Sequence, residues 1–400
     1  MFKRTSCVVA LSLFGASGVT NAQEEGRIQM GNVDFVPDLT TELLHIDNVT
    51  YANDSQENIS SWVGIISPQI NAVTEFRGNE VEFGYRIERG EYFSSEADNY
   101  TDHFGHLAGK YEINDRNRLR ASARYEDGHD ERGRRYSNGF GNELTSPDTY
   151  KNSEVDATYS YGAMSAFGRI DITAGYEDMN YDMDDGVYLF RDREYFKYGA
   201  QLFYRVAPST NLVLDANHQE IEYDEAARPE ATLDSKENKV LAGLTWDTNE
   251  YTRSFVKVGY KQKKFEAVDR EDFSGVAWEV GMTWEPMTYS QFKVNTKADT
   301  RETNSEADYI RSRDYSLSWE HFWIDRFSTT AQVAYMTDDY IGDVEDLRED
   351  DTTRLTLSAD YEFRRWLNFG LFYQMNERDS NRDIIDYDRD VVGITAKVTL

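Results

Sequence analysis

The stretch from Arg354 to Arg365, RLTLSADYEFRR, places an apolar side chain at every second position. One face carries Leu355, Leu357, Ala359, Tyr361 and Phe363, and the other carries Arg354, Thr356, Ser358, Asp360, Glu362 and Arg364. A period of two residues predicts a β-strand. Both a soluble β-protein and a barrel in a membrane produce such alternation, so the fold depends on which solvent each face contacts.

The same alternation recurs along the whole chain, at 81–87, 119–125, 170–176, 198–204, 240–246, 276–284 and 367–373. Short turns are predicted at Gly78-Asn79, Asp115–Asn117, Ser165-Ala166, Pro208–Thr210, Asn249–Tyr251, Met287–Tyr289, Asp325-Arg326 and Arg365-Trp366. Longer polar loops separate them, such as Asp127–Asn152, Asp224–Glu237 and Asp339–Asp351. Short connections on one side and long ones on the other are typical of outer-membrane barrels.

Eight short turns imply sixteen strands, and the chain ends supply two more. Thr41–Tyr51 is expected to rise from the periplasm as the first strand, and Val391–Leu400 to return to it as the last. The sequence therefore predicts an all-β protein, a transmembrane antiparallel up-and-down β-barrel of about 18 strands with short periplasmic turns and long extracellular loops.

The N-terminus has the features of a secretory signal peptide. An apolar run, Cys7–Phe14, follows two basic residues, and small residues end at Ala22. The run is shorter than the roughly 20 residues that a membrane-spanning helix needs. We expect a signal peptide at 1–22, a periplasmic tail at 23–39 and the barrel at 40–400. Such a tail is too short for a plug domain.

Composition agrees with a cell outer membrane location. Cys7 is the only cysteine, so the mature chain has no disulfide and depends on a large hydrogen-bonded framework. A net charge of −30 argues against nucleic acid as a partner. Hydrophobic content is only 39%, which suits a barrel whose inner face is wet. The expected partners are outer-membrane lipid, lipopolysaccharide and the barrel assembly machinery.

A β-propeller is the strongest soluble alternative, because the pattern repeats at about 40 residues. A blade needs four short strands in each repeat, whereas this chain offers two strands of about ten residues, the length that crosses a bilayer. The Trp-Asp pair typical of many blades occurs once, at Trp246-Asp247. The barrel is the better interpretation.

The polar face of the predicted strands defines a candidate lumen lining of mixed charge. The predicted lining residues are Glu82, Arg86, Arg120, Arg124, Asp171, Arg205, Lys257, Lys293, Arg354, Asp360 and Glu362. Opposite charges on neighbouring strands can form ladders that stiffen the wall. Barrels of this size enclose an aqueous channel unless a loop or plug fills it, so a polar conduit is the functional interpretation.

Aromatic residues cluster near the strand ends, as expected for membrane interfaces. The predicted girdle contains Trp246, Trp284, Trp323 and Trp366 near short turns, and Tyr125 and Tyr176 toward the long loops. Ordinary enrichment of aromatic residues in strands explains their number but not this placement.

Catalytic and metal-binding patterns have little support. His103 and His106 are expected to point to opposite faces of one strand. Asp182–Gly186, DMDDG, resembles a calcium loop only in part, because its fifth position is Gly186 and its twelfth is Arg193. The acidic stretch Asp338–Asp351 is interpreted as a solvated loop, with weak cation bridging to lipopolysaccharide as the alternative. We predict no enzymatic activity, no metal and no cofactor.

The segment Leu43–Arg89 resembles the start of the putative β-barrel porin 2 family. The resemblance rests on Asp47-Asn48 in the first strand and on Pro68 with the alternation after it. It implies an outer-membrane barrel of a kind often encoded with exopolysaccharide or capsule genes, and so a polysaccharide as a partner. Many such barrels end in Phe, whereas this chain ends in Leu400 with the apolar phase intact.

Two functional hypotheses follow. The first is a non-enzymatic outer-membrane pore or scaffold in exopolysaccharide or capsule secretion or matrix assembly, in which the polysaccharide comes from the resemblance alone. The second is a general or sugar-selective diffusion porin for small solutes. Neighbouring genes and solute flux in liposomes would separate the two hypotheses.

Overall fold

The structure is a computed structural model that describes residues 27–182, 190–226, 232–249, 252–303, 307–342 and 347–399. The signal peptide predicted at 1–22 and most of the DMDDG stretch lie outside the described residues. Within the described ranges, no helix is both long enough and apolar enough to cross a membrane.

The fold is an antiparallel barrel in which eighteen strands, β2 to β19, follow one another in chain order and the last pairs with the first. The first ten strands of the chain are β1 (Ile28–Met30), β2 (Val33–Ile46), β3 (Ser61–Phe76), β4 (Asn79–Tyr92), β5 (Tyr100–Asn114), β6 (Asn117–Asp130), β7 (Asp148–Tyr161), β8 (Gly168–Tyr181), β9 (Arg193–Ala207) and β10 (Thr210–Tyr223). The others are β11 (Ser235–Asn249), β12 (Thr252–Phe265), β13 (Phe273–Met287), β14 (Ser290–Arg301), β15 (Tyr309–Ile324), β16 (Phe327–Ile341), β17 (Glu349–Arg364), β18 (Leu367–Ser380) and β19 (Tyr387–Thr399).

Closure is made by β19 and β2, whose register runs from Val391 opposite Ile46 to Thr399 opposite Asp38. Strand β1 is a short extension that pairs only with β2. Closure leaves no unpaired sheet edge, as a membrane requires, because lipid offers no partners to backbone polar groups. Short one-turn 3-10 helices occur only in the connections of the described chain, at Glu96–Asp98, Arg135–Ser137, Gly141–Glu143 and Asp383–Ile385.

The apolar face of each strand lies on the outside of the barrel. On β17 the predicted face remains accessible, with Leu357, Tyr361 and Phe363 exposed by 42–43%. The polar face lies on the concave side. Lys239 Nζ on β11 lies 3.0 Å from Asp299 Oδ2 on β14, three strands away, and only converging inner side chains can bridge that distance.

The strands extend further on the extracellular side than the sequence pattern predicted. The loop predicted at Asp127–Asn152 is shorter, because β6 continues to Asp130 and Asp130 pairs with Asp148 on β7. The last strand begins at Tyr387 instead of Val391. Beyond the membrane both faces of a strand can be polar, so the alternation ends before the backbone ladder does.

The first strand is displaced from its predicted position. It spans Val33–Ile46 instead of Thr41–Tyr51, so residues 33–39 of the expected tail belong to the barrel wall. Residues 47–51 leave the wall, and 48–51 are buried inside the barrel mouth. Val49 and Tyr51, which have the two-residue spacing of a strand, are buried by packing inside the mouth and not by lipid contact.

A small apolar core lies inside the extracellular end of the barrel. It joins Leu44, Ile46 and Val49 from the first strand and its loop to inner-face residues of the neighbouring wall, namely Val63, Tyr92, Phe372 and Val391. This part of the lumen is therefore filled by protein.

Candidate functional site: a loop across the lumen

The loop between β6 and β7, residues 131–147, is the candidate functional site, and we call it the crossing loop. It leaves the wall at one point of the extracellular end and contacts strands on two opposite sides of the barrel. Both sets of contacts involve side chains on the inner face, so the loop lies within the mouth of the lumen.

One set of contacts fixes Tyr136 beside β8 and β9. Arg193 Nη1 donates a hydrogen bond of 3.3 Å to the Tyr136 hydroxyl. The guanidinium of Arg191 lies 3.4 Å from the centre of the Tyr136 ring, and Tyr181 packs edge-on against the same ring. Cations over aromatic rings are attracted most strongly when both are desolvated, and Arg191 is buried.

The other set lies on β18 and β19. Arg378 Nη1 donates to Asn138 Oδ1 at 3.1 Å, and Arg389 Nη2 donates to Glu131 Oε1 at 2.9 Å. Gln56, in the loop after β2, donates to the carbonyl of Gly139 at 2.8 Å.

The two sets of contacts lie half a circumference apart. Strand β9 is the eighth of the eighteen barrel strands and β18 is the seventeenth, so eight strands lie between them in either direction. A segment that touches both must cross the lumen. The partners Arg193 and Arg378 lie within three residues of the outer ends of their strands, which places the crossing just inside the mouth.

The loop after β2, residues 47–60, supports the crossing loop from below, and we call it the inner loop. Gly133 has φ of 89°, and a Cβ there would lie 1.9 Å from the carbonyl oxygen of Thr50. Only glycine permits this contact between the two loops. Thr50 also donates to Asn142 Oδ1 at 2.5 Å.

Arg132 holds the base of the crossing loop. Its Nε donates to Asp98 Oδ1 at 2.8 Å, its Nη2 to Ser95 Oγ at 3.1 Å and its Nη1 to the carbonyl of Leu144 at 2.8 Å. The bonds to Asp98 raise the pKa of Arg132. Since Arg132 is buried and its donors point in three directions, it ties both ends of the loop to the connection between β4 and β5.

Glu131 is the electrostatic centre of the anchor on β19. Burial alone would raise the pKa of Glu131, but Arg389 and Arg134 outweigh burial and lower the pKa to about 2. The Tyr51 hydroxyl also donates to Glu131 Oε2, at 2.5 Å. The carboxylate therefore stays ionised at any physiological pH.

Lower in the lumen, four lysines on β11 and β12 form what we call the lysine ladder: Lys239, Lys257, Lys261 and Lys263. Each of them contacts two carboxylates up to three strands away, drawn from Asp215, Glu237, Glu279, Asp299 and Glu302. Lys263 is fully buried. Buried charges are tolerated when each is paired in this way, and the ladder adds rigidity to one wall.

The predicted lumen residues alternate with the exposed apolar side chains, and most have a polar partner on the same face. Glu82 contacts His106, Arg86 contacts Glu88, Arg120 contacts Asp171, and Arg124 contacts Glu154. Lys257 belongs to the lysine ladder, Arg354 donates to Asn376, and Asp360 accepts from Ser358. Arg205 bonds two carbonyls of the turn before β8, while Lys293 and Glu362 lie on β14 and β17.

The four predicted girdle tryptophans lie near strand ends, whereas Tyr125 and Tyr176 lie inside β6 and β8, away from the outer ends of these strands. Trp284, Trp323, Trp366 and Tyr125 are 42–57% exposed. Trp246 is half-buried near the periplasmic end of β11, and Tyr176 donates to Glu194 at 2.9 Å. His103 and His106 have separate partners, Tyr85 and Glu82. Within the described ranges, no group of three metal-ligand side chains is assembled.

Sequence reasoning missed the crossing loop and the lysine ladder. A signal for the loop exists in ERGRRYSNGFGNE, residues 131–143, which holds three arginines and three glycines where the other long loops are acidic. A signal for the ladder exists in KQKKF, 261–265, where lysines occupy alternate positions of a strand.

Comparison with solved structures returns outer-membrane barrels. The outer membrane protein OpdK of Pseudomonas aeruginosa is 11% identical, with a TM-score of 0.51 over 92% of this chain and 99% of that one. The apoprotein form of the FrpB iron transporter of Neisseria meningitidis is 9% identical, with a TM-score of 0.50 over 92% and 81%. At these identities the likeness concerns the fold alone. The comparison with curated proteins finds no match.

The family comparison covers almost the whole chain. The family described as putative beta-barrel porin 2 matches residues 26–400, which includes the crossing loop, the lysine ladder and all eighteen strands. The resemblance seen at Asp47-Asn48 and Pro68 is thereby confirmed, and the location it implies is the outer membrane. This chain belongs to the putative β-barrel porin 2 family.

Proposed function

We propose that the protein is a non-enzymatic outer-membrane channel for small hydrophilic solutes, and that the crossing loop sets its size limit. The observation that carries the proposal is the bridge from Tyr136 at β9 to Asn138 at β18. A polar inner face lets hydrated solutes pass, and a segment fixed across the mouth restricts their width.

The crossing loop is held firmly in place, and this favours a channel with a size limit over a fully open pore. Three separate anchors hold it, at Arg132, Tyr136 and the Glu131–Arg389 pair. Each involves a buried charged side chain, and a buried charge is costly to separate from its partners. The channel should therefore keep one narrow conductance instead of fluctuating between widths.

Conductance in planar bilayers tests the proposal. Replacing residues 133–145 by a short Gly-Ser linker should raise single-channel conductance several-fold and admit larger saccharides in liposome swelling. The matched control replaces residues 267–271 in the loop between β12 and β13, where Val268 is 92% exposed, and should behave as the parent protein. Equal conductance of the parent and the 133–145 variant would refute the size limit. Absence of conductance in every variant would refute a channel.

A link to exopolysaccharide or capsule secretion rests on the family resemblance. A polymer passing through the lumen would have to displace the crossing loop, which makes the link testable by the same variant. Cells carrying the 133–145 replacement should secrete no less polymer than the parent strain if polymer passes through the barrel. Normal secretion in a strain that lacks the protein would exclude the link.

A further inference from the structure

A cavity of about 560 Å³ lies at the periplasmic end of the barrel, far from the crossing loop. It is lined by the turn between β7 and β8, by the turn between β9 and β10, and by the adjacent ends of β8 to β12. Its volume falls within the range of small-molecule sites, which is roughly 300–1,000 Å³.

The cavity exists because the turn at 162–167 is drawn over the lumen. Arg118 Nη2 donates to the carbonyl of Gly162 at 2.9 Å, and Arg205 Nη1 donates to the carbonyl of Ser165 at 2.9 Å. Both arginines belong to the inner faces of flanking strands, β6 and β9. Gly162 has φ of 115°, which side chains disfavour, and a Cβ there would lie 2.7 Å from the carbonyl oxygen of Gly168. The turn is therefore built to fold inward.

The charged side chains that line the cavity are all basic. Arg169, Arg205 and Arg253 contribute to the described lining, and no acid does. Asp171 lies beside Arg169 outside the lining, at 3.3 Å from its Nε, and Arg253 is opposite Asp247 in the strand register.

This environment differs from the lysine ladder, where each cation contacts two carboxylates. Over the described part of the chain, no carboxylate approaches Arg118 or Arg205 within 4 Å, and both side chains donate hydrogen bonds to backbone carbonyls. Arg120 and Arg169 share one carboxylate, Asp171. Arg118 and Arg205 thus carry positive charge that no carboxylate of the described residues neutralises, which favours an anionic ligand.

An aromatic surface lies next to this charge. The guanidinium of Arg169 lies 4.0 Å from the centre of the Phe203 ring, and Arg169 Nη1 also contacts Met164 Sδ at 3.4 Å. Phe167 is 75% exposed at the edge of the cavity. Guanidinium groups bind carboxylates through paired hydrogen bonds, while an aromatic ring and a thioether offer an apolar surface to a ring-shaped solute.

We propose that the cavity binds small carboxylates attached to a six-membered ring, either sugar or aromatic, at the periplasmic mouth. The proposal deepens the proposed function and rests on it, because an external solute reaches this cavity through the lumen. Arg169 and Arg205 contact the carboxylate, and Phe203 and Met164 contact the ring. Arg205 also positions the turn, so it is replaced only together with a measurement of folding.

Binding to the refolded full chain in detergent tests the site, using glucuronate, benzoate and uncharged glucose as probes in calorimetry. Glucuronate, benzoate or both should bind, with glucose at least about tenfold weaker, since one charge-assisted hydrogen bond accounts for about a tenfold change. Arg169→Gln should weaken carboxylate binding about tenfold. Arg364→Gln, which removes an arginine at the periplasmic end of β17 outside the lining, should leave carboxylate binding unchanged.

The results of these experiments distinguish the proposal of a carboxylate site from the proposal of a channel. Glucose binding as tightly as glucuronate, equal losses in both variants, or no carboxylate binding to protein with a native barrel spectrum would overturn the site. A native spectrum for Arg169→Gln excludes misfolding as the cause of any loss. A chain that binds glucuronate in detergent yet carries no current in bilayers would keep the site and refute the channel. Preference for glucuronate over benzoate would identify the ring as a sugar, and the reverse preference as an aromatic ring.

Discussion

Glu131 shows how a single buried carboxylate can fix a loop in place. Its pKa of about 2 lies below the ordinary value of 4.5, so the ionised form is favoured in the folded protein. A lowered pKa stabilises the folded state fully above pH 4.5, and that stabilisation is lost as the pH falls toward 2. The anchor at β19 should therefore hold throughout the neutral and mildly acidic range.

Hydrogen exchange can follow this titration within the crossing loop. Protection of amides in 131–147 should be constant between pH 7 and 5 and should decrease between pH 4.5 and 2, after correction for intrinsic rates. Glu131→Gln should show reduced protection at every pH and no further loss in that window. A loop that opens between pH 7 and 5 would show that another group controls it.

Neighbouring residues on one strand should respond to charge in opposite ways. Leu357→Arg places a guanidinium in lipid near the middle of β17 and should lower the free energy of unfolding by roughly 2–4 kcal/mol. Ser358→Arg, one residue along, enters the polar interior near Asp360 and should cost far less. Denaturant titration of both refolded variants in lipid compares them. An equal decrease in the free energy of unfolding for the two variants would mean that both faces of β17 contact a dry environment.

At the scale of elements, the strands could be predicted from sequence and the crossing loop could not. Lipid on one side and water on the other force alternation on every strand, so the pattern around Leu357 is readable from twelve residues. The crossing loop depends on pairs far apart in sequence, such as Asn138 with Arg378, and has no period. The first strand was misplaced because Val49 and Tyr51 have the spacing of a strand but are buried inside the mouth.

The side chains of Asp47 and Asn48 hold the junction between the end of β2 and the inner loop. Its amide nitrogen donates to the carbonyls of Ala52 and Asp388, at 2.8 and 2.9 Å, and its oxygen accepts from the Ala52 amide at 2.8 Å. Asp47 Oδ1 accepts from the Asp390 amide at 2.7 Å. Together the two side chains continue the pairing of β2 with β19 where the backbone of β2 turns inward.

Loss of these bonds should loosen the inner loop. Asn48→Ala leaves buried backbone groups without partners, at about 1–3 kcal/mol for each, and should reduce thermal stability and protection of residues 47–60. Asn53→Ala is the control and should change little, because the three bonds it removes, one to the carbonyl of Asp383 and two from Ser55, are all exposed to solvent. Equal effects of the two substitutions on melting temperature would show that the inner loop is not held by Asn48.

At the scale of the whole molecule, charge is distributed unevenly along the pore. The chain carries −30 overall, the lysine ladder is paired with acids, and the periplasmic cavity is basic. A solute entering from outside would meet an acidic outer rim, then the crossing loop held by arginines, then a neutralised wall, and last the arginines of the periplasmic cavity. Such an order concentrates cations at the entrance and retains anions at the exit, so the two ends should contribute oppositely to selectivity.

The reversal potential under a salt gradient measures the net ion selectivity to which the two ends of the pore contribute. We expect a mild cation preference at low salt that fades near 1 M, because the screening length falls from about 8 Å at physiological ionic strength to about 3 Å. Neutralising Glu349 and Asp388 at the outer rim should reduce the preference at low salt and leave conductance at high salt unchanged. Neutralising Arg169 at the periplasmic cavity should increase the cation preference. An anion preference in the parent protein would mean that the arginine wall, and not the acidic mouth, governs the current.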